Sequence, residues 1–226
     1  MITLHIWPRS PWGAKVLHAA YEKELVFERV LVIPLDPVAA ERSRHLTPFG
    51  TNPVLVENGN IVFESTIICE YLDLHHRGGV RLLPDDPLEA LEARFLDRFA
   101  ENYIVSAGHA LYWEGRKRPQ DRSLERIRDR RAQLDTAWSF WNERIQGRPF
   151  AAGRAFSIAD LCAGTALIIA HQHGWRPPAG LANVERWLDI LRERPAWRRA
   201  FAEMNGDFAQ PWLRPFEGAN PFSGSF

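Results

Sequence analysis

The dipeptide Asn58-Gly59 stands between Val54-Leu55-Val56-Glu57 and Asn60-Ile61-Val62-Phe63, and nothing else in this 226-residue chain constrains its folding as tightly. Asn-Gly supplies the two consecutive positive-φ positions that a two-residue type I′ turn needs. With β-branched and aromatic residues on both sides, the segment predicts an antiparallel hairpin. Upstream, residues 2–7 alternate apolar and polar side chains until Pro8 stops them, the pattern of a half-buried strand. Val16, Leu17, Ala20 and Tyr21 then recur at helical spacing behind Ser10, a candidate N-cap, and Pro11, a proline at the first helical position. A helix is expected over 11–24 and a second strand over 27–33, parallel to the first because a helix joins them. A short helix is expected over 38–46. After the hairpin, Ser65 reads as the N-cap of a third helix with Ile67, Ile68, Tyr71 and Leu72 on one face. The order βαβαββα thus fills residues 1–76.

Residues 77–86 carry Gly78-Gly79 and Pro84, with Pro87 just beyond, the composition of a linker between domains. Beyond it only helices are expected, over 87–113, 122–146, 157–171 and 183–204, the last broken at Pro195. An all-helical bundle therefore occupies 87–205. Phe156-Ser157-Ile158-Ala159-Asp160-Leu161 reads as a capping segment, with Ser157 accepting from the Asp160 amide, Asp160 reaching back, and Phe156 stapled to Leu161. A tail, 206–226, places Phe208, Trp212 and Phe216 four apart with Pro211 and Pro215 between them, too apolar to stay in water and too broken for a helix. It is expected to fold over a pocket.

Composition narrows the function. The 28 Lys and Arg residues cancel the 28 Asp and Glu residues, so no excess of positive charge exists to neutralise many phosphates; nucleic acid and membrane are not expected as partners. Cys69 and Cys162 form no Cys-x-x-Cys pair and lie on apolar helical faces, which predicts core thiols in a reducing, cytoplasmic setting. His75-His76 and the His171/His173 pair lack metal-ligand spacing, so no metal is expected.

Three segments carry a family resemblance. The most specific is Pro48-Phe49-Gly50-Thr51-Asn52-Pro53-Val54-Leu55-Val56-Glu57-Asn58-Gly59, closed by Glu64-Ser65 and the apolar helix ending in Tyr71-Leu72. The others are Trp7-Pro8-Arg9-Ser10-Pro11-Trp12-Gly13-Ala14-Lys15-Val16 and the capping segment at Phe156. Over about residues 1–205 the chain resembles the cytosolic glutathione transferase superfamily, and its Trp7–Val16 turn resembles that of the Ser-using tau class and related bacterial enzymes. The resemblance implies a thioredoxin-like domain followed by an all-helical domain, glutathione as co-substrate, a small-molecule electrophile as acceptor, and a homodimer with Phe49 near the partner's helical domain.

A free thiol has a pKa of about 8.5 and only the thiolate attacks, so the site needs a donor to sulfur and a positive electrostatic environment. On spacing alone Ser10 reads as a helix cap; the resemblance assigns it the donor to sulfur, since Trp7 stands where Tyr-using classes carry tyrosine and the turn has no Cys. The resemblance also implies that Thr51, Asn52 and Pro53, the last after a cis peptide bond, hold the peptide, and that Glu64 and Ser65 take the amine and carboxylate of the γ-glutamyl group. The Lys or His that the family places before Pro48 is absent; those positions read Val38 and Ala39. An acceptor pocket is expected from Trp12, Tyr103, Ala107 and Leu111, with Phe208 or Trp212 from the tail. Two functions fit this reading: a transferase acting on apolar or aromatic electrophiles, aryl ethers included, or a non-catalytic glutathione-binding scaffold on the same fold.

Overall fold

A computed structural model describes residues 1–33, 36–172 and 178–205. The tail and the expectations placed on Phe208, Trp212 and Phe216 lie outside the described residues. Strand β1 (Ile2–Ile6) leads into helix α1 (Pro11–Glu22), and strand β2 (Phe27–Leu31) returns beside β1 in parallel. Helix α2 (Pro37–Leu46) follows; Asp36 caps it by accepting from the Val38 amide. Strands β3 (Val54–Glu57) and β4 (Asn60–Phe63) form the expected hairpin, with Asn58 at φ 51° and Gly59 at φ 84°. Helix α3 (Ser65–His75) completes the thioredoxin-like unit. The sheet runs β2-β1-β3-β4, with β3 antiparallel to both neighbours. Ile2, Leu4, Ile6 and Leu55 are buried from the sheet into one apolar core with Leu17 of α1 and Ile68 and Leu72 of α3.

The remaining elements are helical: α4 (Pro87–Phe99), a π-helical segment (Ala100–Val105), α5 (Ser106–Arg116), α6 (Leu124–Arg144), α7 (Ile158–Gln172), α8 (Ala182–Arg192) and α9 (Pro195–Asn205). Helix α7 packs against both α1 and α4, which seats the bundle on the thioredoxin-like unit. Among the described residues no helix is long and apolar enough to cross a membrane.

Three local expectations are corrected. The single helix expected over 87–113 is interrupted by the π-helical segment and extends to Arg116. Ser65 is the first residue of α3 rather than its cap; Glu64 holds the cap position at φ 72°, with no side-chain capping bond. At the start of α7 the box is one-sided. The Ser157 hydroxyl does not take the Asp160 amide but donates to the Asp160 carboxylate, which also receives the Ser157 amide, the Ala151 amide and the Trp187 indole N–H. A fully buried carboxylate needs several donors, and Ser157 is more useful as one of them than as an acceptor.

Candidate functional site

The turn from β1 to α1 is built by backbone. The Ser10 amide donates to the Trp7 carbonyl (2.9 Å) and the Ser10 carbonyl accepts from the Ala14 amide (2.8 Å). Ser10 therefore occupies the N-cap position, φ −80° and ψ 137°, yet its hydroxyl makes no capping bond. Pro11 has no N–H, and the next amides, of Trp12 and Gly13, have no acceptor within the helix, so the Ser10 side chain sits at the positive end of α1. Gly13 is required for this approach: a Cβ there would lie 2.2 Å from the Trp7 carbonyl oxygen.

The loop before β3 is tied to that turn. Asn52 Oδ1 accepts from the Trp7 amide (3.2 Å), and the Thr51 amide donates to Thr47 Oγ1 (3.2 Å). The Asn52–Pro53 peptide is cis. In the sheet Val54 pairs with His5 on one side and Phe63 on the other, so Pro53, Glu64 and the end of β1 reach the same end of the sheet. Ser65 follows there, buried, at the α3 N-terminus. Glu64, exposed at φ 72° and ψ 117°, adopts a backbone conformation that costs a non-glycine residue about 1–3 kcal/mol.

Under this end of the sheet lies a polar cluster that sequence reading missed. The Lys15 ammonium, on α1, is 2.5 Å from Asp97 Oδ1 of α4 and donates to Thr66 Oγ1 (2.7 Å) of α3; Thr66 in turn donates to Asp97 Oδ2 (2.7 Å). Lys15 and Asp97 are 1% and 0% exposed. Burial alone lowers an ammonium pKa, yet the anionic surroundings reverse this and raise that of Lys15. Burial drives the nearby thiols of Cys69 and Cys162 up and keeps them protonated, so Asp97 is the anion that holds Lys15 charged. A charged residue on an otherwise buried helix face was the available signal.

Between the turn and the helical unit opens a cavity of about 220 Å³. Trp7, Arg9, Ser10, Trp12, Thr51 and Asn52 form one wall; Ile104, Val105, Gly108, His109, Tyr112 and Trp113 form the other; Leu134, Trp138, Ala166 and Ile169 close it. Of the expected residues, Ser10, Trp12, Thr51 and Asn52 meet here, while Pro53, Glu64 and Ser65 are not among the wall residues. Tyr103, Ala107 and Leu111 are not among its wall residues: Tyr103 is half exposed against Phe99, and Ala107 and Leu111 are buried. Their places are taken one residue later, by Ile104, Gly108 and Tyr112. The π-helical segment explains the offset, because its wider turn inserts one residue and rotates everything after it by about 100°. Burial raises the Tyr112 phenol and lowers the His109 imidazole, which is therefore neutral at neutral pH.

Residues 4–79 match the family described as "Glutathione S-transferase, N-terminal domain". Glutathione S-transferase hmp2 of Hypomyces subiculosus is 29% identical over 201 residues, covering 84% of this chain and 93% of that protein. FtsZ-localized protein A of Caulobacter vibrioides is 29% identical over 212 residues, covering 89% and 91%. The crystal structure of a glutathione S-transferase from Methylobacterium radiotolerans, in complex with glutathione sulfonate, matches with a TM-score of 0.79 and 27% identity over 88% of this chain and 94% of that one.

Proposed function

The chain belongs to the cytosolic glutathione transferase superfamily, and from that premise we propose that it binds glutathione at the sheet end, ionises its thiol beside Ser10, and delivers the thiolate to an apolar or aromatic electrophile. The observation that carries this reading is the Ser10 hydroxyl: it stands at a helix N-terminus, is not used as a cap, and lines a cavity with aromatic walls. In this reading the thiol proton passes to solvent, the Ser10 O–H donates to the thiolate, and the positive end of α1 favours the anion. One pKa unit corresponds to about 1.4 kcal/mol of preference for the thiolate, within the range of one hydrogen bond to an anion. Thr51, Asn52 and Pro53 hold the cysteinyl part, the α3 N-terminus with Ser65 takes the γ-glutamyl carboxylate, and Glu64 takes its amine. The strain at Glu64 supports that role, since such conformations persist where a site needs them. The acceptor lies between Trp12 and the wall of Ile104, Gly108 and Tyr112; the sulfur forms the new bond to carbon as the leaving group departs with its electron pair. Residues 1–76 form the glutathione-binding domain, 77–86 the linker and 87–205 the helical domain in this reading, set in a reducing, cytoplasmic compartment.

Titration of the full chain with glutathione, followed by a panel of electrophiles that includes an aryl ether, tests it. Ser10→Ala should leave the fold intact, raise the pKa of bound glutathione as read by thiolate absorbance, and lower turnover; an unchanged pKa and unchanged turnover refute the assignment. The second reading, a glutathione-binding scaffold, is favoured by the relative named FtsZ-localized protein A, and binding without turnover on any acceptor selects it.

A homodimer belongs to the same proposal. Leu88, Leu91 and Phe95 on α4, Ile67 on α3 and Phe49 before β3 are exposed, Phe49 by 81%, an apolar surface that a second copy is suited to cover. Sedimentation at micromolar concentration should give about twice the 25.9 kDa of the chain, and a monomer contradicts it.

A further inference from the structure

His109 offers chemistry that thiol activation does not use. It lines the cavity from α5, on the wall opposite Ser10, and its ring stands edge-on to Trp12, two residues after Ser10, with centroids 4.9 Å apart. The Trp113 indole N–H, one turn further along α5, donates to His109 Nε2 at 2.8 Å. An indole nitrogen can only donate, so Nε2 is the acceptor and the ring proton is on Nδ1. No described residue takes that proton. Burial lowers the affinity of the ring for a second one, so the group presented is a neutral imidazole with a single fixed N–H.

Resting on the transferase reading, we infer that His109 is a catalytic residue that donates its Nδ1–H to an acceptor oxygen gaining negative charge as the carbon–sulfur bond forms. The site then favours aromatic acceptors with such an oxygen at the reacting end. With an aryl enone, the thiolate sulfur bonds the β-carbon, the C=C pair moves toward the carbonyl, and the enolate oxygen receives the His109 hydrogen bond until solvent protonates the α-carbon. With an aryl ether, the sulfur bonds carbon, the C–O pair leaves on the phenoxide oxygen, and solvent supplies its proton. In neither case does His109 lose its proton, because a neutral donor aimed at developing charge stabilises it without transfer. Trp12, Ile104, Leu134 and Ile169 give the same cavity an apolar stretch that suits the aromatic body, while Arg9, Thr51, Asn52 and Tyr112 are its further polar lining.

The test compares benzylideneacetone and phenacyl phenyl ether with benzyl chloride, which has no oxygen at its reacting carbon. In His109→Phe, which keeps a ring against Trp12, the ratio of kcat/KM for each oxygen acceptor to that for benzyl chloride should fall about 30-fold, mostly through kcat. His109→Asn, whose amide N–H stands near the position of Nδ1, should recover part of that ratio. Loss confined to the enone or to the ether identifies which oxygen is served. An unchanged ratio overturns the inference, because a ring that merely packs affects all three acceptors alike. Calorimetry on the full chain keeps it independent of turnover: the wild type should prefer the ketone-bearing glutathione conjugate of benzylideneacetone over S-benzylglutathione, and His109→Phe should lose about tenfold of that preference. If the wild type turns over no acceptor, the transferase reading fails, and this binding preference alone upholds or overturns the donor role.

Discussion

Replacing Lys15 with methionine removes one half of an ion pair that lies inside the protein. At an effective dielectric of about 20, charges some 3 Å apart attract by about 5 kcal/mol, while taking each ion out of water costs several kcal/mol. The pair is therefore worth little relative to an apolar replacement, but half of it is costly. Lys15→Met leaves the Asp97 carboxylate buried with only the Thr66 hydroxyl to serve it, and the expected loss is about 3–5 kcal/mol. Lys15→Met/Asp97→Leu removes both charges and should return most of that loss. Urea unfolding at pH 7, followed by the fluorescence of the buried Trp138 and Trp141, measures all three variants. Because Thr66 follows Ser65 at the start of α3, Lys15→Met should also weaken glutathione binding. A loss below about 1 kcal/mol, or a double variant less stable than either single one, refutes the reasoning.

Three further outcomes follow from the site and from α7. Glu64→Gly relieves a strained φ and removes the proposed partner of the γ-glutamyl amine, so thermal stability should hold or rise while calorimetry finds weaker glutathione binding; Ser65→Ala should cost about 1–3 kcal/mol of affinity, and equal affinities in both variants refute the assignment. Burial pushes the Asp160 carboxyl up to about 6 despite its four donors, so its contribution to stability is full below the unfolded pKa of 3.8 and is lost as pH rises through 6. Relative to Asp160→Asn, the wild type should gain about 3 kcal/mol in urea unfolding between pH 7 and the acid limit, and a constant difference across that range refutes it.

The sequence alone determined what local stereochemistry determines. Asn58-Gly59 fixed the hairpin because few other pairs accept two positive φ angles in succession. Pro11 behind Ser10 started α1 where the structure starts it, and the parallel pairing of β1 and β2 followed from the helix between them. Ser10, Trp12, Thr51 and Asn52, which the family resemblance singled out, line one cavity in the structure. The tertiary structure decided the rest. A helical period read at 3.6 residues has no means of registering the π turn at 100–105, which turns Ile104, Gly108 and Tyr112 to the cavity. Ser10 holds the cap position of α1 without a side-chain capping bond, and the Ser157 hydroxyl faces a carboxylate that Ala151 and Trp187 also serve. Lys15 reads in the sequence as one more helix charge. It becomes a buried ion pair only when α4 brings Asp97 against α1, because the free energy of a charge is set by what surrounds it in space and not by its neighbours in the chain.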